Sequence, residues 1–168
     1  HGHRRLLLPS FSPKVIAPME QDMREFCRGL IQAIGESEAV DASEMYAQHI
    51  PVHGICGLLG VPESDADMFR DWIFRNFQLS PRDNDVRVQV GLEMDAYLTE
   101  LIGQRADDPQ DDLLTLVSTA EIDGEPIPVE LQLGYAKLMI FAGIDTTWSA
   151  IGSGIWHLAQ HPEERALL

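Results

Sequence analysis

The sequence predicts an all-α chain, mainly helical with one small β-hairpin. Apolar residues recur at i, i+3 and i+4 almost throughout the 168 residues, which is the period of helices that bury one face. Strand-like alternation is nearly absent. The single Asp-Gly pair, in "EIDGEPIP", is the only hairpin signal, since two consecutive residues must take positive φ in a tight primed turn. With 45% hydrophobic and 23% charged residues, the chain can form a core and is not disordered by composition.

The first helix is expected over about 1–8, ending at Pro9, with "PSFSP" as a connector whose prolines stop its continuation. A second covers roughly 13–35 and closes at Gly35. "DASEMYAQHIPVHGICGLLG" supplies the third, with Asp41 or Ser43 as cap, a kink or late start at Pro51, and an end at Gly60 and Pro62. Ser64 or Asp65 would cap a helix over 65–78 whose face carries Met68, Phe69, Trp72, Ile73 and Phe77. After the loop "LSPRDND", residues 84–106 read as a long amphipathic helix with Val88, Leu92, Tyr97, Leu98, Leu101 and Ile102 inward. "ADDPQDD" is a solvated linker in which Asp111 or Asp112 caps a short helix over 112–119. Beyond the hairpin, Pro128 suits the first turn of a helix over about 128–160. At 1.5 Å per residue that helix spans roughly 45 to 50 Å. Its apolar residues, from Leu133 and Leu138 to Ile155, Trp156 and Leu158, surround the axis, so burial on all sides is expected.

An excess of 27 acidic over 12 basic residues, net charge −15, argues against nucleic acid as a partner, because phosphate binding needs clustered Lys and Arg. No apolar run approaches the roughly 20 residues that cross a bilayer, so no membrane partner is expected. Cys27 and Cys56 show no paired spacing, which suits a reducing compartment and a cytoplasmic location. Both cysteines are expected as small buried apolar residues. The chain begins "HGHRR" and ends "ERALL" within an apparent helix, and it reads as a fragment.

The stretch "FAGIDTTWSAIGSG", residues 141–154, sets an acid and two hydroxyls inside an apolar helix. Polar groups removed from water without partners cost roughly 1 to 3 kcal/mol each. Three explanations are open. Asp145 or Thr146 caps a second helix starting at Thr147; the hydroxyls bond back within one helix, Thr146 to the Ala142 carbonyl; or Gly143 lets a ligand approach while Asp145 and Thr146 relay protons to it.

Taken with its flanks, this stretch resembles the cytochromes P-450, haem-thiolate monooxygenases, and their soluble bacterial members above all. Ala142, Gly143, Ile144, Asp145, Thr146 and Thr147 match each position of the motif on that family's central helix. "HLAQHPEER", "IPVHGICGLLGVPESDADMF", "RADDPQDDLLTLV" and "HRRLLLPSFSP" are similar to family stretches in the same order. The resemblance implies that residues 1–168 are the N-terminal and central portion of the P-450 fold, one partial domain incomplete at both ends. It further implies haem b against the central helix, dioxygen in a groove formed by Ala142, Gly143 and Thr147, and Asp145 and Thr146 as catalytic residues that deliver two protons. His1 and Arg5 would bind the haem propionates, with His3 and Arg4 as alternatives because the interval to Phe11 is one residue short. The implied partners are O2, a small hydrophobic organic substrate and a ferredoxin or flavoprotein-type electron donor. The family's cysteine ligand lies beyond the equivalent of Leu168, so no metal ligand is expected here and the fragment alone should be inactive. Phe69, Trp72, Phe74, Phe77 and Met94 correspond to the family's substrate-access lid, or are plain core.

Two rival readings remain. His49 and His53, four apart in "HIPVH", have the spacing of zinc ligands, although Ile50 stands where a catalytic glutamate would and Pro51 disturbs the helix. A noncatalytic helical binding or scaffold domain would account for the helices and the acidic surface, with Asp145 as a cap.

Overall fold

The computed structural model describes residues 2–36 and 39–168. Helix α1 (Gly2–Leu7) runs into a 3-10 turn, Leu8–Phe11, and Pro13 begins α2 (Pro13–Ile34). Gly35 ends α2 at φ 63°. Asp41 then accepts hydrogen bonds from the Ser43 and Glu44 amides at 2.8 and 3.0 Å, which settles the cap on Asp41 rather than Ser43. The turn that follows is π-helical, Ser43–Ala47, ahead of α3 (His49–Leu59). Pro51 accounts for it: lacking an amide hydrogen, Pro51 cannot bond the carbonyl four residues back, Ala47, where the wide turn ends.

Neither Ser64 nor Asp65 caps α4 (Ala66–Phe74) with its side chain. A 3-10 turn, Glu63–Asp65, leads into it, and the Asp65 carboxylate instead accepts the Tyr97 hydroxyl at 2.6 Å. α4 passes into a π turn, Arg75–Leu79, and Asp83 caps α5 (Asn84–Asp107) through the Asp85 amide. Asp112, not Asp111, caps α6 (Leu113–Ser118) through the Thr115 amide at 2.7 Å. The hairpin forms as predicted, β1 (Glu121–Ile122) antiparallel to β2 (Glu125–Pro126), with Asp123 and Gly124 at φ 57° and 85°. Pro128 flanks α7 (Val129–Gln160), and α8 (Pro162–Arg165) closes the chain.

The core lies where α3, α4, α5 and α6 meet one face of α7. Phe69, Trp72, Met94, Leu98, Leu113, Leu114, Ile140 and Ile144 are almost wholly buried there. Two expectations about faces need correction. In α5 the inward stripe is Val90, Met94, Leu98 and Ile102, while Val88 and Leu92 are 52% and 61% exposed. α5 carries apolar residues on adjacent stripes, and the stripe ending at Leu98 and Ile102 faces α6 and α7. α7 is not buried on all sides: Tyr135, Ala136, Ile140 and Ile144 are covered, but Leu138 and Trp156 stand 51% and 65% exposed. Of the aromatic residues around α4, Phe69 and Trp72 are core, with Met94, whereas Phe74 and Phe77 are exposed.

Candidate active site

The polar stretch sits midway along α7, which runs unbroken through Val129–Gln160. Asp145 and Thr146 therefore cap no second helix. Thr146 Oγ1 donates to the Ala142 carbonyl at 2.7 Å, the back-bonding expected of a helical threonine, and the turn nevertheless stays α-helical. Ala142, Thr146 and Thr147 are exposed. Gly143 does not share their face. Its open side meets α3, where Ile55 Cδ1 lies 2.5 Å from the position a β-carbon would take. The glycine thus serves close packing of α7 on α3, and the open surface belongs to Ala142, Thr146 and Thr147.

Asp145 looks another way. It is half-buried at the edge of a groove of about 820 Å³ between the C-terminal half of α7, the segment 40–43 and the end of α4. Phe74 and Phe77 line the α4 side. Phe77 meets the ring of Phe141 edge-on, 5.8 Å between centroids. On the remaining side the Trp148 indole donates to Ser43 Oγ at 2.8 Å. Among the described residues the Asp145 carboxylate has no hydrogen-bond or ion-pair partner. It is spared any structural duty. Ser43 could not have been found from sequence, since it lies 105 residues from Trp148. Ser149 and Ser153, which also line the groove, were signalled only by their spacing of four from Asp145.

At the other end of the site, the Tyr135 hydroxyl and His3 Nδ1 are hydrogen-bonded, which ties α1 to α7. Burial raises the Tyr135 pKa, keeping it a phenol. Arg4 and Arg5 are exposed and form no ion pair among the described residues. His1 lies outside the described residues.

The zinc reading fails on geometry. His53 Nε2 and Nδ1 are held by Asp22 at 2.6 Å and Glu63 at 2.8 Å, and its ring stacks on Phe26 at 3.9 Å. His49 instead bonds the Glu44 carbonyl at 3.0 Å. No cluster of three or more metal-ligating side chains occurs among the described residues. Cys56 is buried, and its thiol is pushed up to about 12 by burial first and by the Glu63 and Asp65 carboxylates next. Cys27 departs from expectation in being only half-buried, beside Tyr46.

No protein-family model matches the sequence. The chain is 34% identical over 166 residues to a vitamin D(3) 25-hydroxylase of Pseudonocardia autotrophica, a match covering 98% of this chain and 41% of that protein. It is 32% identical over 169 residues to the cytochrome P450 monooxygenase PikC of Streptomyces venezuelae, covering 98% of this chain and 40% of the relative. The crystal structure of the LnmA cytochrome P450 hydroxylase of Streptomyces atroolivaceus superposes with a TM-score of 0.90 at 26% identity, over 98% of this chain and 43% of that one. The Bacillus subtilis cytochrome P450 PksS gives the same TM-score, 0.90, at 26% identity over 99% of this chain. The chain belongs to the cytochrome P450 family. It spans about two fifths of the length of the curated relatives it matches. As a P450 stretch it has no described helix long and apolar enough to cross a membrane.

The residues present fit a haem on the open side of α7. Leu138, Ala142, Thr146 and Ala150, each four apart, form an exposed strip with no charged member, and a flat macrocycle can approach a helix closely along such a strip. Tyr135, which anchors His3, is seven residues from Ala142, roughly 10 Å along the axis. Arg4 and Arg5, two guanidiniums without acidic partners among the described residues, in a chain of net charge −15, suit carboxylate ligands. Cys56, sealed in the core with a thiol held neutral by burial, does not fit an iron ligand.

Proposed function

We propose that this chain is the oxygen-activating part of a haem-thiolate monooxygenase, with residues 1–168 forming part of one P450 domain. The overall reaction takes O2, two electrons and two protons and returns a hydroxylated organic substrate and water. Haem b, when bound, supplies the redox-active iron, its thiolate pushing electron density that favours O–O cleavage. The thiolate comes from sequence outside this chain, so the chain by itself hydroxylates nothing. Ala142, Thr146 and Thr147 present the oxygen-binding surface, and Arg4 and Arg5, with His3 and His1, are the candidates for the propionates. Thr146 holds a proton at Oγ1, anchored on the Ala142 carbonyl, and Asp145 exchanges protons with solvent through the groove beside it. The protein's share is proton delivery, positioning and exclusion of bulk water.

The observation that carries this reading is the state of the two side chains. Thr146 is fixed by one bond to its own helix, while Asp145, adjacent in sequence and facing the groove, has no hydrogen-bond or ion-pair partner among the described residues. A cap or a structural ion pair would have engaged that carboxylate. A small hydrophobic substrate, a ferredoxin or flavoprotein-type donor and a cytoplasmic setting complete the proposal, supported by hydroxylase and monooxygenase relatives and by the apolar side chains that surround the groove.

The test is made in the complete protein that carries this stretch, by following reducing equivalents consumed, peroxide formed and product formed. Thr146→Ala is expected to divert electrons to peroxide or water. Asp145→Asn is expected to slow turnover. Unchanged coupling and rate in both variants would remove the proton-delivery role and leave haem binding untouched.

A further inference from the structure

Asp145, Ser149 and Ser153 are each four residues apart on α7 and all three line the same groove. Residues at that spacing stack along one face of a helix, with roughly 6 Å between successive positions. A water molecule bonded at about 2.8 Å to each of two oxygens bridges about 5.6 Å. One water per gap therefore closes the row. We infer that Ser149 and Ser153 order a file of water that carries protons from solvent along α7 to Asp145, making them positioning residues for proton uptake. This rests on the oxygen-activating reading of Asp145 and Thr146.

Three features favour a conducting row over incidental surface serines. The first concerns where the hydroxyls are spent. Thr146, Ser118 and Thr119 bond carbonyls of their own helices, as helical hydroxyls commonly do. Ser149 and Ser153 make no such bond, so each can donate to one water and accept from another. The second is the wall opposite. Ile73, Phe74 and Phe77, with Trp148 and Trp156 on α7, line the same groove with largely apolar surface, which offers water few hydrogen bonds; of its other described polar side chains, Asp41 and Ser43 are engaged elsewhere and Gln78 lies on the turn after α4 rather than on α7. The third is charge. Among the described residues the only other carboxylate lining the groove is Asp41, which is occupied by the Ser43 and Glu44 amides, and no described lysine or arginine lines it. A proton moving inward thus meets no fixed cation among the described residues. It enters as hydronium at the outer water, each hydroxyl passes one proton on as it accepts another, and the Asp145 carboxylate becomes the acid. Handing that proton toward Thr146 restores the carboxylate.

The complete protein would be studied as wild type, Ser149→Val, Ser153→Val and Ser149→Thr. Valine and threonine have the same shape and differ by the hydroxyl. A high-resolution crystal structure of the wild type should show ordered water between Asp145 and Ser149 and between Ser149 and Ser153, retained in the threonine variant and lost in Ser149→Val. The solvent deuterium isotope effect on turnover should increase in both valine variants and return to the wild-type value in Ser149→Thr. Turnover itself should fall several-fold, less than the roughly hundredfold that a positioned acid or base can contribute. If the bridging waters are missing from the wild type, or the valine variants keep the wild-type isotope effect while Asp145→Asn slows turnover, the row is overturned and the role of Asp145 stands. If Asp145→Asn also leaves turnover unchanged, both readings fall.

Discussion

Ile55 on α3 and Gly143 on α7 interlock: the Cδ1 methyl of Ile55 occupies the place where a side chain at position 143 would begin. A β-carbon there would stand 2.5 Å from Cδ1 and 3.1 Å from Cγ1. Gly143→Ala gains about 1 kcal/mol in helix propensity but overpacks a closed core at a cost of about 1 to 3 kcal/mol. The expected net effect is a loss of roughly 1 kcal/mol. Ile55→Val removes Cδ1 and alone costs about 1 kcal/mol as a small cavity. Combined, the two changes should compensate by about 1 kcal/mol or more relative to their sum, read from urea denaturation of the four proteins. Strict additivity would mean that the two residues do not touch in solution.

Gly60 and Gly29 should respond oppositely to alanine. Gly60 ends α3 at φ 71° and a β-carbon would run into the Asp112 carboxylate, which is itself fixed by Arg105 at 2.6 Å and by the Thr115 amide. Left-handed backbone alone costs an alanine about 1 to 2 kcal/mol, and the clash adds to it. Gly29 lies inside α2 with nothing within 4 Å of its missing side chain. Gly29→Ala is expected to stabilise by about 0.5 to 1 kcal/mol. Thermal melting of the two variants decides the point.

Removing a helix cap should cost different amounts at two sites. Asp83→Ala loses only an exposed bond to the Asp85 amide, about 1 kcal/mol. Asp112→Ala frees the Thr115 amide and leaves the Arg105 guanidinium, shared with the Gly60 carbonyl at 2.7 Å, without its anion. Breaking a buried pair from one side costs about 3 to 5 kcal/mol. Similar losses at both positions would show that Arg105 contributes little to the junction.

The two thiols should separate by reactivity and by pH. At pH 8 a thiol reagent should titrate Cys27 and miss Cys56, whose pKa is pushed up to about 12; denaturant should release the second. A thiol whose folded pKa exceeds its unfolded value, about 8.5, stabilises the fold fully below 8.5 and loses that contribution as pH rises toward 12. Unfolding free energy should therefore decline above pH 8.5. Cys56→Ala, though less stable overall, should show a shallower decline, because Tyr97, also raised by burial and by Asp65, still titrates at higher pH.

Much of this architecture is legible in the residues. Pro9, Gly35, Gly60 and Asp123-Gly124 place the breaks because each acts through its own backbone geometry, which neighbours in space do not alter. Faces are harder. Val88 and Leu92 look as good as Val90 and Met94 on a helical wheel, and only the position of α6 and α7 chooses between them. Along α7, apolar residues all round suggested a helix enclosed on every side, but α3, α5 and α6 cover one face. At the site, "AGIDTT" announced the Thr146 bond to Ala142, a contact within one turn. It could not announce that Gly143 turns toward Ile55, nor that Ser43 would meet Trp148, since those depend on how α3 crosses α7.

α2 has 22 residues and none of them is buried. Pro18 interrupts its hydrogen bonding, and its attachments to α3 are peripheral: Met19 and Met23 against Gly57 and Gly54, the Phe26 ring stacked on His53, and the Asp22 bond to His53. An element held so lightly can detach while the remainder stays folded, so the molecule has at least two tiers of cooperativity. Amide hydrogen exchange in α2 should report this sub-global opening, with protection well below that of Ala136, Ile140 and Ile144 in α7. His53→Gln should lower the α2 tier further and leave the α7 tier in place.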